Sequence, residues 1–249
     1  MKYSILMAAL VSIVVFSCGD EKKNKTGDTA SDTTVIDTSQ MKKEVWTILF
    51  DGQSTDQWRG YNSDSIYSNW SIEDNALKFT PGEKGGKNII TKDTFENFVL
   101  SLDWKASEGA NSGIFWSVFE DEKFGEAYQT GPEIQVLDNE RHPDAKVAGG
   151  THKAGSLYDM VACDPKLVNP AGEWNTTVLE IDHTKNLGKV IMNGTEALTF
   201  PVHGEEWEAM VQNSKFKDWE GFGEYRNGHI GLQDHGDVVW FRDIKIKRL

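Results

Sequence analysis

The stretch Asn111–Asn139 decides the fold. It opens with Asn111-Ser112-Gly113-Ile114-Phe115-Trp116-Ser117-Val118. A Gly-, Asp- and Glu-rich break follows, and then Glu133-Ile134-Gln135-Val136-Leu137-Asp138. Both runs are short and apolar, with polar groups at alternating positions. That is the period of a β-strand, whose successive side chains point to opposite faces. In the second run Glu133 and Gln135, with Leu137, point one way, and Ile134, Val136 and Asp138 the other. A carboxyl and an amide therefore share one sheet face in a region rich in Trp. Such a face suits a sugar better than a core.

Outward from this segment the chain repeats the pattern. Ala76–Phe79, Asn88–Thr91 and Phe98–Trp104 read as strands, the last as a half-buried one. Trp174–Asp182, Lys189–Met192, Glu196–Phe200, His229–Gln233 and Val238–Lys247 follow. Asn193-Gly194 between two of these is a strong hairpin signal. Only Glu205–Ser214 has the makings of a helix, and a short one. Many short strands, uneven loops and no internal repeat indicate an all-β fold, a jelly-roll sandwich of two antiparallel sheets rather than a propeller. Trp174, Trp104 and Phe98 are expected in its core. The irregular stretch 139–173 is long for a loop in a compact domain, and such loops are usually functional or disordered. Its part Gly149–Tyr158 is expected over the mouth of a site.

The N-terminus is a different material. Ile5–Phe16 is apolar but too short to span a membrane, and it fits a signal-peptide core. Ser17-Cys18-Gly19 resembles the bacterial lipoprotein cleavage box, which implies lipidation of Cys18 and a lipid anchor. Residues 1–17 are thus expected to be a lipoprotein signal peptide, 18–43 a flexible polar tether and 44–249 one domain. The expected location is the outer membrane, facing the periplasm or the cell surface. Cys163 is then the one thiol left in the domain, so no internal disulfide is available. The formal net charge of −13 argues against nucleic acid, which requires clustered Lys and Arg, and favours a neutral ligand.

Six motifs in order identify a family. They are Ile48-Leu49-Phe50-Asp51-Gly52 with Trp58; Trp70-Ser71-Ile72-Glu73-Asp74-Asn75-Ala76-Leu77; Asn111–Phe115; Glu133–Asp138; Ala171-Gly172-Glu173-Trp174-Asn175; and Gly231-Leu232-Gln233-Asp234-His235-Gly236 with Phe241-Arg242-Asp243-Ile244. Together they resemble the 3-keto-disaccharide hydrolase domain family over Val45 to Leu249. The resemblance implies a concanavalin A-like jelly-roll sandwich and action on glycosides already oxidised at C3, with a sugar 3-dehydrogenase upstream as pathway partner. Asn75 stands where the family has Gly, and Asn tolerates the left-handed turn. Glu120–Tyr128 is distinctive and is expected to reshape the pocket.

A 3-keto group acidifies the proton on C2. A base removes it, the group on C1 leaves by elimination, and water adds back. This needs a base, a stabiliser for the oxyanion at C3 and an acid for the leaving oxygen, not the carboxylate pair of ordinary glycosidases. Glu133 and His235 are the candidate catalytic residues. Asp234 is a candidate to orient His235; the structural alternative for Glu133 is a carboxylate paired with Lys or Arg, such as Arg242. Asn111, Trp116, Gln135, His152, Lys153, Tyr158 and Gln233 are candidates to bind substrate, Trp116 as an aromatic platform. No cofactor is required by this chemistry. Asp138, Asp159, Asp164 and Asp182 have the oxygen chemistry for Ca²⁺, and His142, His152 and His235 could meet at a transition metal only if the long loop folds back; no metal ligand is assigned. There is no G-x-S-x-G turn. The alternative is a non-catalytic carbohydrate-binding lipoprotein. An ordinary endo-glucanase on the same sandwich would carry E-x-D-x-x-E, where this chain has Gln135 and Asp138.

Overall fold

The computed structural model describes residues 45–82 and 87–249. The expected signal peptide, the tether and Cys18 lie outside the described residues, as do 83–86 of the Gly-rich run Gly82–Gly86. Two antiparallel sheets pack face to face as a β-sandwich. The larger runs β11 (Thr195–Phe200), β10 (Leu187–Met192), β9 (Asn175–Asp182), β6 (Phe98–Ala106), β13 (Val239–Arg248), β4 (Ala76–Phe79) and β3 (Trp70–Glu73). β1 (Thr47–Phe50) also pairs with β13, beyond a register shift near Asp243. The smaller runs β2 (Trp58–Gly60), β5 (Ile89–Thr91), β12 (His229–Leu232), β7 (Asn111–Val118) and β8 (Glu133–Leu137). One helix, α1 (Gly204–Gln212), overlaps the stretch whose pattern allowed a helix.

The strands form where alternation can bury one face. β6 alternates buried and half-buried along all of its length, and Phe98, Leu100, Leu102 and Trp104 enter the core between the sheets. A fully buried aliphatic or Phe side chain of this kind contributes roughly 1.5–3 kcal/mol. The indoles also need partners for their N–H groups. Trp104 donates to Thr177 Oγ1 (2.9 Å) and Trp58 to the Leu49 carbonyl (2.8 Å). β1, β2 and β3 were not anticipated as strands. At three or four residues each they are too short to show a period, and their pairing partners hold them.

Two expectations about tryptophan fail. Trp174 is not in the core. It lies half-buried with the Arg242 guanidinium 4.0 Å from its ring centroid and the Lys105 ammonium at 5.0 Å, which covers the indole with cations instead of apolar side chains. Trp116 faces inward and packs near Phe200 and Trp207 in the core, 1% exposed. The parity of β7 puts Phe115, not Trp116, on the outer face, and Phe115 is itself covered by Tyr61, Ile90 and Phe124. No sugar platform exists at Trp116.

The Asn193-Gly194 turn closes β10 on β11 with both residues left-handed (φ 50° and 83°), the geometry of a type I′ hairpin. Asn193 also accepts from the Thr176 N–H (2.8 Å) and donates to the Leu167 carbonyl (2.8 Å) and to Asn175 Oδ1 (2.8 Å). It ties the hairpin to β9 and to the long loop. Replacing Asn193 by Ala removes these bonds and leaves a Cβ residue at positive φ. A stability loss of roughly 2–3 kcal/mol is expected, read as a lowered urea midpoint at unchanged m-value.

Candidate active site

The outer face of the five-stranded sheet holds the site. In the β7–β8 pairing Gln135 lies opposite Gly113 and Glu133 opposite Phe115. Opposed residues share a face, while Ile114, Ile134 and Val136 point into the core. A Cβ on Gly113 would collide with the Glu133 carboxyl. The glycine therefore makes the room in which that carboxyl lies. β12 adds Gln233 from the other side of β7, its N–H donating to the Gly113 carbonyl (3.0 Å) and its own carbonyl accepting from Ser112 Oγ (2.8 Å).

The long loop then builds a wall. Its residues 155–158 run along the free edge of β8. Gly155 N–H donates to the Gln135 carbonyl (2.8 Å), Gln135 N–H to the Ser156 carbonyl (3.0 Å) and Tyr158 N–H to the Glu133 carbonyl (3.0 Å). This places the Tyr158 ring beside Glu133. His152 stacks on Tyr158 with centroids 4.2 Å apart, and the Lys215 ammonium lies 4.2 Å from the same ring centroid. Asp159 holds the assembly together. One of its oxygens pairs with His152 Nε2 (2.8 Å) and the other accepts from the Lys215 N–H (2.7 Å).

The cavity so formed has a volume of about 310 Å³ and is lined by Asn111, Glu133, Gln135, Tyr158, Gln233 and His235, together with Tyr128, Gly131, Lys215, Phe216, Trp219 and Phe222. Six of the nine candidate residues thus converge. Trp116 is in the core. His152 stands behind Tyr158, supporting it rather than lining the cavity. Lys153 does not line it either; the lysine present is Lys215. Lys215, Phe216, Trp219 and Phe222 come from the segment after α1. The recurrence of aromatics there in a polar run was a usable signal.

Burial pushes the Glu133 carboxyl up to about 8; the positive field of Lys215 opposes this and Asp144 adds to it, and no hydrogen bond offsets the desolvation. Burial also raises Tyr158, so its hydroxyl stays protonated. Two amide oxygens of lining residues, Asn111 Oδ1 and Gln233 Oε1, are buried without a hydrogen-bond partner in the protein. A buried acceptor without a partner is costly. The expected orientation of His235 by Asp234 is absent, and so is the structural pairing of Glu133 with Arg242 weighed against its functional role. Asp234 does not orient His235, because its carboxylate accepts from the Lys87 and Gly236 N–H groups. Arg242 pairs with Asp103, far from Glu133 in the strand order.

The metal-ligand candidates serve separate turns. Asp138 accepts from the Gly109 and Glu140 N–H groups, Asp164 from Lys166 and Asp182 from Thr184 and Lys185, while Asp159 makes the clamp described. His142 and His235 rings are 6.4 Å apart, and His152 is engaged by Asp159. Burial raises the Cys163 thiol to about 11, which suits a core residue and not a nucleophile.

Residues 45–247 match the family described as 3-keto-alpha-glucoside-1,2-lyase-like domain. A protein from Bacteroides thetaiotaomicron named 3-keto-disaccharide hydrolase is 33% identical, the match covering 98% of this chain and 97% of that one. A crystal structure from Parabacteroides distasonis ATCC 8503, named as a candidate glycosyl hydrolase, is 28% identical with a TM-score of 0.74, covering 82% of this chain and 94% of that one. A Bacillus subtilis protein with a galectin-like fold is 14% identical with a TM-score of 0.50, over 82% and 94% of the two chains; that likeness concerns the fold alone. Together with the two antiparallel sheets, these relatives establish a concanavalin A-like jelly-roll sandwich.

The Glu133 environment predicts a pH-dependent stability. The carboxyl is more basic folded (about 8) than in its ordinary state (4.5). The folded protein therefore favours the protonated form. Its contribution is complete below about pH 4.5 and is lost as pH rises through about 8. Glu133→Gln lacks this loss. Relative to wild type it should gain on the order of a few kcal/mol between pH 5 and pH 9, measured as the difference in urea midpoints at the two pH values.

Proposed function

We propose, for a chain that belongs to the 3-keto-alpha-glucoside-1,2-lyase-like domain family, that it is an enzyme cleaving the glycosidic bond of 3-keto-disaccharides. One observation carries the proposal. A carboxyl without a hydrogen-bond partner, pushed up to about 8 by burial, lines a cavity together with two residues whose amide oxygens are unpartnered. The amides suit the hydroxyls of a neutral sugar. A protonated carboxyl at neutral pH suits an acid.

Roles follow from these environments. His235, exposed at the rim, is assigned the base that takes the C2 proton. The electron pair of that C–H bond moves into an enolate, whose oxygen at C3 carries the charge. The Lys215 ammonium and the Tyr158 hydroxyl supply positive charge and a donor on the cavity wall for that oxygen. The enolate then collapses: C3=O re-forms, a C1=C2 double bond forms and the C1–O bond breaks. Glu133 gives its proton to the departing oxygen. Water adds to C1 and a proton returns to C2, which leaves the free 3-keto sugar. The net reaction is hydrolysis. A sugar 3-dehydrogenase must act earlier to supply the ketone, because an unoxidised ring has no acidic C2 proton.

Product formation from a 3-keto-disaccharide, beside the unoxidised sugar, tests this with wild type and Glu133→Gln. Cleavage of the keto form alone is expected, and the variant should lose about 10²- to 10⁴-fold in kcat. Binding of both proteins to the sugar without cleavage by either would instead make the chain a carbohydrate-binding protein. The pH profile gives the sign of the Glu133 role. An acid is active while protonated, so kcat/KM should fall as pH rises through about 8. A rise through the same range would make Glu133 the base.

A further inference from the structure

Resting on the hydrolase reading above, we propose that the cleft adjoining the catalytic cavity is the binding site for the second sugar ring, the neutral ring that departs with the glycosidic oxygen. The catalytic cavity, at about 310 Å³, is at the small end of ligand sites. It suits one ring better than two. A second cavity of about 430 Å³ adjoins it and is lined by Lys123, Phe124, Gln129, Asp218 and Glu220. The two share a wall made of Tyr128 and Trp219. These rings are 5.8 Å apart and tilted by 49°.

The composition of the second cavity is that of a site for a polyhydroxylated ring. The two shared rings offer apolar faces for C–H groups; Phe124 is itself buried, with the Lys123 ammonium 4.7 Å from its ring centroid. Gln129, Asp218 and Glu220 offer acceptors for hydroxyls, and Lys123 a donor. Lys123 and Glu220 pair at 2.6 Å across it. Tyr128 is the one aromatic among the described large hydrophobic side chains that stay markedly exposed, at 38%. An exposed ring that borders two cavities is a position for ligand contact. It is not loose: it sits on a single turn of 3₁₀-helix whose first N–H, from Glu126, donates to Gln129 Oε1 (2.9 Å). Glu133 lines only the first cavity. The ketone-bearing ring must be there, so the glycosidic bond crosses at the Tyr128–Trp219 wall and the ring beyond it is the one released.

The test uses the double variant Asp218→Ala/Glu220→Ala. Both residues are exposed and neither lines the catalytic cavity. Compared with wild type, kcat/KM for a 3-keto-disaccharide should fall about tenfold, mostly through KM, the effect of losing one hydrogen bond to a charged group. For the methyl 3-keto-glucoside, which has no second ring, kcat/KM should stay within about twofold. Equal losses on both compounds, or no loss on the disaccharide, would overturn the second-ring site. Should wild type cleave neither compound, the hydrolase reading fails, and binding decides the site by itself. Calorimetric titration of wild type with the disaccharide and with its isolated keto ring must then give tighter binding of the disaccharide, and the double variant must abolish that difference. Equal affinities would overturn the proposal.

Discussion

A missing side chain governs the site. Gly113 leaves the outer face of β7 bare at the point where the Glu133 carboxyl lies. Any larger residue would drive that carboxyl out toward solvent. Placed over the strand, it is largely buried and has no hydrogen-bond partner. The burial that this packing permits raises the proton affinity of Glu133. Phe115, next on the same face, is sealed by Tyr61, Ile90 and Phe124, so that side of Glu133 is closed and its open side is the cavity.

The walls of the cavity solve a second problem. β8 is an edge strand, and an edge exposes unpaired backbone groups. Residues 155–158 of the long loop satisfy that edge with three hydrogen bonds. In doing so they fix Tyr158 beside Glu133. Asp159, the next residue, holds His152 with one oxygen and the backbone of Lys215 with the other. Two segments far apart in sequence are thereby locked to each other and to the sheet. A long loop becomes a rigid wall because its polar backbone has somewhere to go.

Burying an unpartnered carboxyl opposes folding, and so do the orphan oxygens of Asn111 and Gln233. Nothing in the sandwich requires them. Elsewhere Trp58 and Trp104 donate to nearby oxygens, and Asp138, Asp164 and Asp182 accept from turn backbones, while Trp116 Nε1, Ser117 Oγ and both ring nitrogens of His183 are also buried without a partner. What sets Glu133, Asn111 and Gln233 apart is that all three line one cavity, where burial raises the proton affinity of the carboxyl.

The sequence by itself determined the longer strands and the alternation of their side chains. Alternation in Phe98–Trp104 and in Glu133–Leu137 is a local property, fixed by the two-residue repeat of an extended chain, and so was the Asn193-Gly194 turn, fixed by two residues that tolerate positive φ. Asn111, Glu133, Gln135, Gln233 and His235 were legible because each lies on, or directly beside, a strand whose outward face can be read off. Tertiary structure decided the rest. Parity within β7 told only that Trp116 and Phe115 differ; which face was the core depended on where the second sheet packed. Lys215 instead of Lys153, Tyr128, Trp219 and the uncoupling of Asp234 from His235 all depend on loop paths. Loop paths have no period, and they are settled by which distant edge or aspartate satisfies their backbone.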